Sequence, residues 1–399
     1  MKKLLLMTAA LLLSLSLCLS AAGETVTLSF VGDCTTGEQW CFRNYKSGYC
    51  YKIRKAGFDY PFSLCAYLFA QDDLTLANCE VCLTNVSPHD KTKAMSLSGA
   101  PEFAQVFQLG YVDAVNVINN HSDDFGTRGK QDTIAALEQY GIGYFGGTWV
   151  YETEVKGIKI GVCGQRYHVN DYILEQYKTL FAQLRADGCD FIIASVHWGR
   201  EDNHNLNAEQ KKYATKILDA GADLLYGHGS HTVQPVEYYN GKIIMYSTGN
   251  FTFGANAKPK DMDTAVFQVL LDVADDGTIT TAALKTYPYC VCDNADFRPY
   301  PYTTQEDKER VWQKLVFDGH TYGKSTSNLP ESFVTTGYAC FMEGYEEAPV
   351  VATDTDLPAP SGQSTKVSPA ATPAPTVVPH ATNKVPSAEP NATLPGAHR

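Results

Sequence analysis

Six short stretches of the chain carry side chains able to hold a metal ion or move a proton. Asp33 closes "SFVGD", Asn78 and Glu80 stand in "LANCE", and Asn120, His121 and Asp124 fall in "NNHSDDFGTRG". His197 and Glu201 follow in "VHWGRE", His228 and His231 in "GHGSH", and Asn250 in "YSTGNF". Imidazole, carboxylate and amide oxygen together suit divalent Mn, Zn or Fe, and Mn or Zn can polarise a phosphoryl oxygen or activate water. Each group alone has a plainer use. Asp33 can cap a turn, Glu80 can be a solvated loop carboxylate, Asn120 can satisfy backbone groups, and a strand-end histidine is commonly a hydrogen-bonded core residue. What makes them a constellation is that so many sit where a strand ends.

The elements that must position them alternate. "TVTLSFVGD", "LTLANCE", "AVNVINN", "IKIGVCG", "DFIIASVHW", "ADLLYGH", "KIIMYSTGN" and "TAVFQVLLDV" are short apolar or β-branched runs that predict strands. Helical patterns separate several of them, notably 128–139 and 207–220, each followed by a stop at Gly141 or Gly221. The alternation predicts an α/β fold, and in such folds ligands collect at the carboxyl ends of the strands. There is no internal repeat.

Composition bounds the setting. Of 399 residues, 44% are hydrophobic and 19% charged, ample for a packed core. The net charge of -12 excludes a nucleic-acid partner bound through a basic face. Lys2 and Lys3, an apolar run from Leu4 to Leu19 and the small residues Ser20-Ala21-Ala22 predict a signal peptide over 1–22, with an uncleaved anchor as the alternative. The large Leu17 argues against lipid modification at Cys18. A domain is expected over 24–347. From about Ala348 to Arg399 ten prolines and no aromatic residue predict an extended, disordered tail. Of twelve cysteines, eleven would survive cleavage, so one at least stays unpaired. Cys79 with Cys82, and Cys290 with Cys292, are read as structural disulfides or buried thiols ahead of a four-thiolate zinc site. His89, His168, His204 and His320 are read as surface residues, and Trp198 as packing in the core.

Taken in order, "FVGDCTTG", "LANCE", "NNHSDDFGTRG", "VHWGRE" and "GHGSHTVQPVEYYNGKIIMYSTGNFTF" resemble the motifs of the CapA family of capsule biosynthesis, associated with poly-γ-glutamate synthesis and export. That family is related to the calcineurin-like metallophosphoesterases, and the resemblance spans about Thr25 to Phe253. It implies a sandwich of two packed sheets flanked by helices and a site for one or two divalent ions (Mn, Zn or Fe). By the resemblance, Asp33 and His231 serve one ion, Asn120, His197 and His228 the other, and Glu80 bridges them. A water activated between ions about 3.5–4 Å apart would be the nucleophile. His121 would be the acid, with Asp124 orienting its imidazole, and Asn78, Glu201 and Asn250 would contact substrate. Gly32, Gly126 and Gly129 would allow tight backbone approach. The chain departs from the superfamily's usual pattern at three places. Asp33 is followed by Cys34 and Thr35 rather than by an x-His pair, Glu80 replaces an aspartate, and His228 and His231 are three apart rather than two.

Three functions follow. The first is an exported, envelope-associated CapA-type protein acting on an anionic polymer such as poly-γ-glutamate, in company with a membrane synthesis or export complex. The second is a secreted metal-dependent phosphoesterase acting on nucleotides or wall phosphodiesters. The third is a polymer-binding module without turnover.

Overall fold

The computed structural model describes residues 23–345 except 89–92, 94, 167, 293–295, 318–326 and 344, together with the backbone of Val378 and Pro379. The expected signal segment, nearly all of the expected tail, His89 and His320 lie outside the described residues. Val378–Pro379 pairs antiparallel with Trp149 and Val150. Among the described residues no helix is long and apolar enough to cross a membrane.

Strands buried on both faces must be apolar throughout, and the runs read from the sequence are of that kind. The strand Glu24–Thr35 lies at the centre of a nine-stranded sheet. Leu74–Cys79, Ala114–Asn116 and Gly143–Phe145 extend it in parallel on one side. The antiparallel strands Asp263–Val273 and Ile279–Cys290 extend it on the other. A seven-stranded sheet packs against this one, with Ile158–Arg166, Phe191–His197, Leu224–His228 and Lys242–Met245 as its parallel centre. The inward-facing residues, among them Leu28, Phe30, Leu76, Ile160, Ile193 and Tyr226, form one buried core between the sheets. Residues of the opposite parity face out and are covered by helices. Ala77 and Val115 pack with the layer containing Gly126–Gln139, while Ile192, Ala194 and Leu225 pack with Asp171–Ala186 and Ala208–Asp219. The result is the two-sheet, helix-flanked sandwich expected from the sequence.

Register turns this layering into a site. Asp33 is level with Asn78, and Asn78 with Asn116, in the first sheet. His197 is level with His228 in the second. Both rows lie at the carboxyl ends of parallel strands, where the backbone is free to diverge. Asn207 closes a capping box with Gln210 at the start of Ala208–Asp219, which satisfies two otherwise orphaned donors.

Several sequence readings are corrected. "AVNVINN" is a strand only over Ala114–Asn116, because the Asn116 side chain donates to the Ile118 carbonyl at 2.9 Å and the chain turns away. "KIIMYSTGN" divides into Lys242–Met245 and a separate strand, Asn250–Phe253, that pairs with the end of Glu24–Thr35. His204 is not a surface residue. It is half-buried, with Nδ1 2.7 Å from the Val233 carbonyl and Nε2 2.8 Å from that of Phe317. His168 is exposed, as expected. The cysteines resolve in favour of buried thiols: Cys79, Cys82, Cys290 and Cys292 are all free and buried. Trp198 packs, donating from Nε1 to the Tyr246 carbonyl at 2.8 Å.

One buried charge ties the helix Gln305–Val316 to the first sheet. Asp263 accepts from Arg310 at 2.9 Å and from Tyr302 at 2.7 Å, with Lys314 at 2.8 Å. Burial opposes its charge, but these partners outweigh burial and hold the carboxyl at about 2, below the ordinary 3.8. A carboxylate whose folded value is depressed contributes stability above its unfolded value and loses it as pH falls toward the folded one. Asp263→Asn is therefore expected to cost about 2 kcal/mol at pH 7. In urea unfolding the deficit should persist above about pH 4 and shrink toward pH 2.

Candidate metal centre

The carboxylate at the centre is Asp33, fully buried at the end of Glu24–Thr35. Asn78 Nδ2 donates to its Oδ1 at 2.7 Å, and the Gly229 backbone N–H donates to Oδ2 at 3.1 Å. His231 Nδ1 lies 3.2 Å from Oδ2, and His228 Nδ1 lies 3.8 Å from Oδ1. Two groups of potential ligands result, Asp33 with His197 and His228, and Asp33 with Glu80 and His231. The carboxylate common to both is thus Asp33 rather than Glu80. Glu80 Oε1 nonetheless faces both histidine sets, 3.6 Å from His231 Nε2 and 4.0 Å from His197 Nε2.

The backbone approaches closely here. A Cβ on Gly32 would stand 1.9 Å from the Gly249 carbonyl oxygen, and one on Gly229 would stand 2.8 Å from His197 Nε2. Gly229 also has φ of +102°, open to glycine and strained for other residues. His231 itself has φ of +58°, a conformation that costs a non-glycine residue about 1–3 kcal/mol. Asn250 holds it there, donating to the His231 carbonyl at 3.1 Å while its Oδ1 lies 2.9 Å from His231 Nδ1. With Nδ1 engaged by Asn250 and Asp33, Nε2 is the nitrogen turned toward Glu80. Ser195 Oγ, 2.9 Å from His228 Nε2, fixes the second imidazole in the same way, and His228 Nδ1 stands 2.9 Å from His197 Nδ1.

Beside these groups stands the expected pair. His121 Nδ1 is 2.7 Å from Asp124 Oδ2, and the same oxygen accepts from the Leu97 N–H at 2.8 Å. Lys93 pairs with Asp124 Oδ1 and donates to the Asn120 carbonyl at 3.0 Å. Asn119 anchors the turn through Nδ2 to the Cys79 carbonyl at 2.9 Å, and its Oδ1 accepts the His121 N–H at 3.0 Å. Lys93, Asn116, Asn119 and Ser195 were not singled out from the sequence. Asn119 opens the motif "NNHSDDFGTRG" and Asn116 stands in the strand run just before it, while Lys93 and Ser195 have no local signal.

Asn78 is the other correction. Expected to touch substrate, it is fully buried behind Asp33, and its Oδ1 accepts from Asn116 Nδ2 at 2.8 Å. It is a positioning residue. Asn250 likewise holds His231. Glu201 is exposed, and Asn120 Nδ2 reaches its Oε1 at 3.4 Å. Asn120, His197, Trp198 and Glu201 line a cleft of about 250 Å³ together with Gly199, Gly229, Asn207, Glu209 and His168.

Electrostatics divides the carboxylates. Burial opposes the Asp33 charge, yet His231, His197 and His228 hold its carboxyl well below the usual carboxylate range. Burial and the neighbouring Asp33 push Glu80 well above that range. Burial depresses His197 and takes His228 down to about 4. Burial also opposes charge on His231, but Glu80 and Asp33 overcome it and raise the imidazole to about 10. Both Glu80 oxygens and Asn120 Oδ1 are buried acceptors with no protein donor, and each such group costs about 1–3 kcal/mol. A cation among Asp33, Glu80 and His231 would satisfy the Glu80 oxygens, so the residues of the two groups fit one or two divalent ions.

A buried carboxylate–histidine centre at the carboxyl ends of the parallel strands of two facing mixed sheets defines the class, and similarity to known proteins narrows it. Residues 27–255 match the family described as bacterial capsule synthesis protein PGA_cap, and the chain belongs to that family. It is 27% identical over 322 residues to a capsule biosynthesis protein CapA of Bacillus anthracis, covering 74% of each chain. It is 26% identical over 252 residues to a PGA biosynthesis protein CapA of Bacillus subtilis, covering 58% of this chain and 64% of that one. A 5'-nucleotidase from Candida albicans aligns at 12% identity over 62% of this chain and 47% of its own, with a TM-score of 0.36.

Binding a cation requires Glu80 and His231 to give up protons, so metal affinity is expected to rise with pH. Titration of Mn or Zn into the apoprotein should bind more tightly at pH 8 than at pH 6. Buffers of different ionisation enthalpy should report proton release. His197→Ala should lower the bound metal, measured by elemental analysis, while leaving the circular dichroism spectrum unchanged.

Proposed function

We propose that this chain is an exported protein of capsule synthesis that binds a poly-γ-glutamate-type polymer at a divalent-metal centre and acts on it there. The observation that supports this reading is the pair of ligand groups sharing Asp33, one of whose histidines, His197, lines a cleft with Asn120, the neighbour of the His121–Asp124 pair. Family membership and relatives named for capsule and PGA biosynthesis favour the polymer as ligand. An acidic protein and an acidic polymer are reconciled if bound cations stand between them. The apolar run Leu4–Leu19 favours export.

Asp33, Glu80, Asn120, His197, His228 and His231 would hold the ions, which when bound supply a charge that polarises a phosphoryl or carbonyl oxygen. The chain's own residues do the rest. Asp124, itself held by the Leu97 N–H, fixes the His121 ring through Nδ1, leaving Nε2 to deliver a proton to a leaving atom. Asn119 holds the turn that joins Asn120 to His121, so ligand and acid move as one unit. The buried acid–base pair favours turnover over simple carriage of the polymer. The scissile bond is then either a γ-glutamyl amide or a phosphodiester.

His121→Asn is the discriminating variant. It should retain metal and melting temperature and lose turnover of the true substrate by a factor of about 10² or more. Poly-γ-glutamate and a panel of nucleotide and wall-type phosphodiesters, assayed with Mn or Zn, identify that substrate. Full activity in the variant would remove His121 from the reaction. No turnover by the native protein, with polymer still bound, would leave a binding module.

A further inference from the structure

Between Gln39 and Phe58 the sequence carries five cations, Arg43, Lys46, Lys52, Arg54 and Lys55, and no carboxylate, in a chain whose net charge is -12. The same stretch shows three aromatic rings to water. Phe42, Tyr45 and Tyr51 are 47%, 56% and 41% exposed, three of the seven large apolar side chains that stand out from the surface among the described residues. Local hydrogen bonds hold the loop in place. Trp40 opens the short turn Trp40–Phe42 and donates its N–H to the Ser96 carbonyl at 2.8 Å. The Tyr45 N–H bonds the Phe42 carbonyl at 2.8 Å, the Gly48 N–H that of Tyr45 at 3.0 Å, and Glu38 Oε1 accepts the Cys50 N–H at 3.2 Å. The Phe42 and Tyr45 rings meet edge to face, their centroids 5.4 Å apart. A loop tied at both ends that still presents apolar rings to water gains no folding stability from them, and exposed patches of this kind mark binding surfaces.

The loop follows directly on Glu24–Thr35, the strand whose end carries Asp33, and the Trp40 ring packs on that of Phe125, next to Asp124, with centroids 5.7 Å apart. The surface therefore adjoins the turn that bears His121. Several of its cations are not spent on carboxylates. Arg43 lies over the Trp40 ring and donates to Asn85 Oδ1 at 3.0 Å. Arg54 pairs with Glu102, but Lys46 and Lys55 are exposed and form no ion pair among the described residues. Tyr51 and Lys55, four residues apart on the helix Tyr49–Ala56, share one of its faces. An acidic protein repels a polyanion over most of its surface, so a cationic stretch fixes where such a chain lies. A γ-glutamyl chain has the matching chemistry, because it alternates two methylenes with a carboxylate-bearing carbon. Rings can cover the methylenes while ammonium and guanidinium groups meet the carboxylates. We propose that the surface from Phe42 to Lys55 is a track for a γ-linked polyglutamate chain, lying outside the metal centre and leading to the His121 turn. The track rests on the polymer reading above. An anionic bilayer also suits rings and cations, but the apolar run Leu4–Leu19 precedes Glu24, at the far end of a twelve-residue strand and about 40 Å from its close. A chain held by that run would turn the track away from the membrane.

The test titrates poly-γ-glutamate calorimetrically into the full-length, Mn-loaded protein and two variants, Phe42→Ser/Tyr45→Ser and Lys46→Gln/Lys55→Gln. All four side chains are exposed, and melting temperature and metal content check that the fold and the centre are intact. Each variant should weaken polymer binding by about fivefold or more. The aromatic variant keeps every charge, so its loss separates the track from attraction by charge alone. Unchanged polymer affinity in the aromatic variant would overturn the track and leave the polymer reading in place, whatever the charge variant does. If the native protein binds no polymer, the polymer reading fails and the track falls with it. Phosphatidylglycerol vesicles that bind the native protein and not the variants, with polymer affinity the same in all three, would overturn the track in favour of a membrane surface.

Discussion

A carboxylate with no access to water has to be compensated inside the protein, and Asp33 is such a group. Burial alone would neutralise it. Instead Asn78, the Gly229 N–H and three imidazoles surround it, and they are drawn from both sheets. The charge is thus satisfied only when the two sheets are packed in one register. A slip of one residue in the strand Leu224–His228 would turn its side chains to the opposite face and remove His228 from Asp33. The centre and the sandwich are for this reason a single structural unit.

The arrangement also explains why so much of the neighbourhood is committed to positioning. Asn78, Asn116 and Asn119 form an amide chain running from the Asp33 carboxylate to the turn that carries His121. Ser195 and Asn250 orient His228 and His231 in turn. Amides and hydroxyls can donate and accept at once, so they relay geometry without adding charge to a region already dense in carboxylates. The left-handed backbone at His231 is tolerated because Asn250 secures both its carbonyl and its ring.

Three local features of the centre have a physical sense in this setting. Thr35 is buried and its hydroxyl donates to the Glu80 carbonyl at 3.4 Å. The longer glutamate side chain at position 80 reaches the space between His231 and His197. The three-residue spacing in "GHGSH" lets Gly229 lend its N–H to Asp33 before the chain returns with His231. All three features close the centre around the Asp33 carboxylate.

Local sequence already contained most of the central strands, their order of appearance, the strand-terminal polar groups and the His121–Asp124 pair, because apolar runs, turn residues and a three-residue offset are all short-range signals; it did not mark Gly143–Phe145, Trp149–Val155 or Ile279–Cys290. It also marked Gly32, whose lack of a side chain admits the Gly249 carbonyl. It could not say that Asn78 would stand behind Asp33 rather than face substrate, since that depends on the register of two strands 45 residues apart. Nor could it assign Lys93 to Asp124, His204 to two backbone carbonyls, or the sharing of Asp33 between two ligand groups. Those are long-range contacts, and only the packing of one sheet on the other decides which side chains meet.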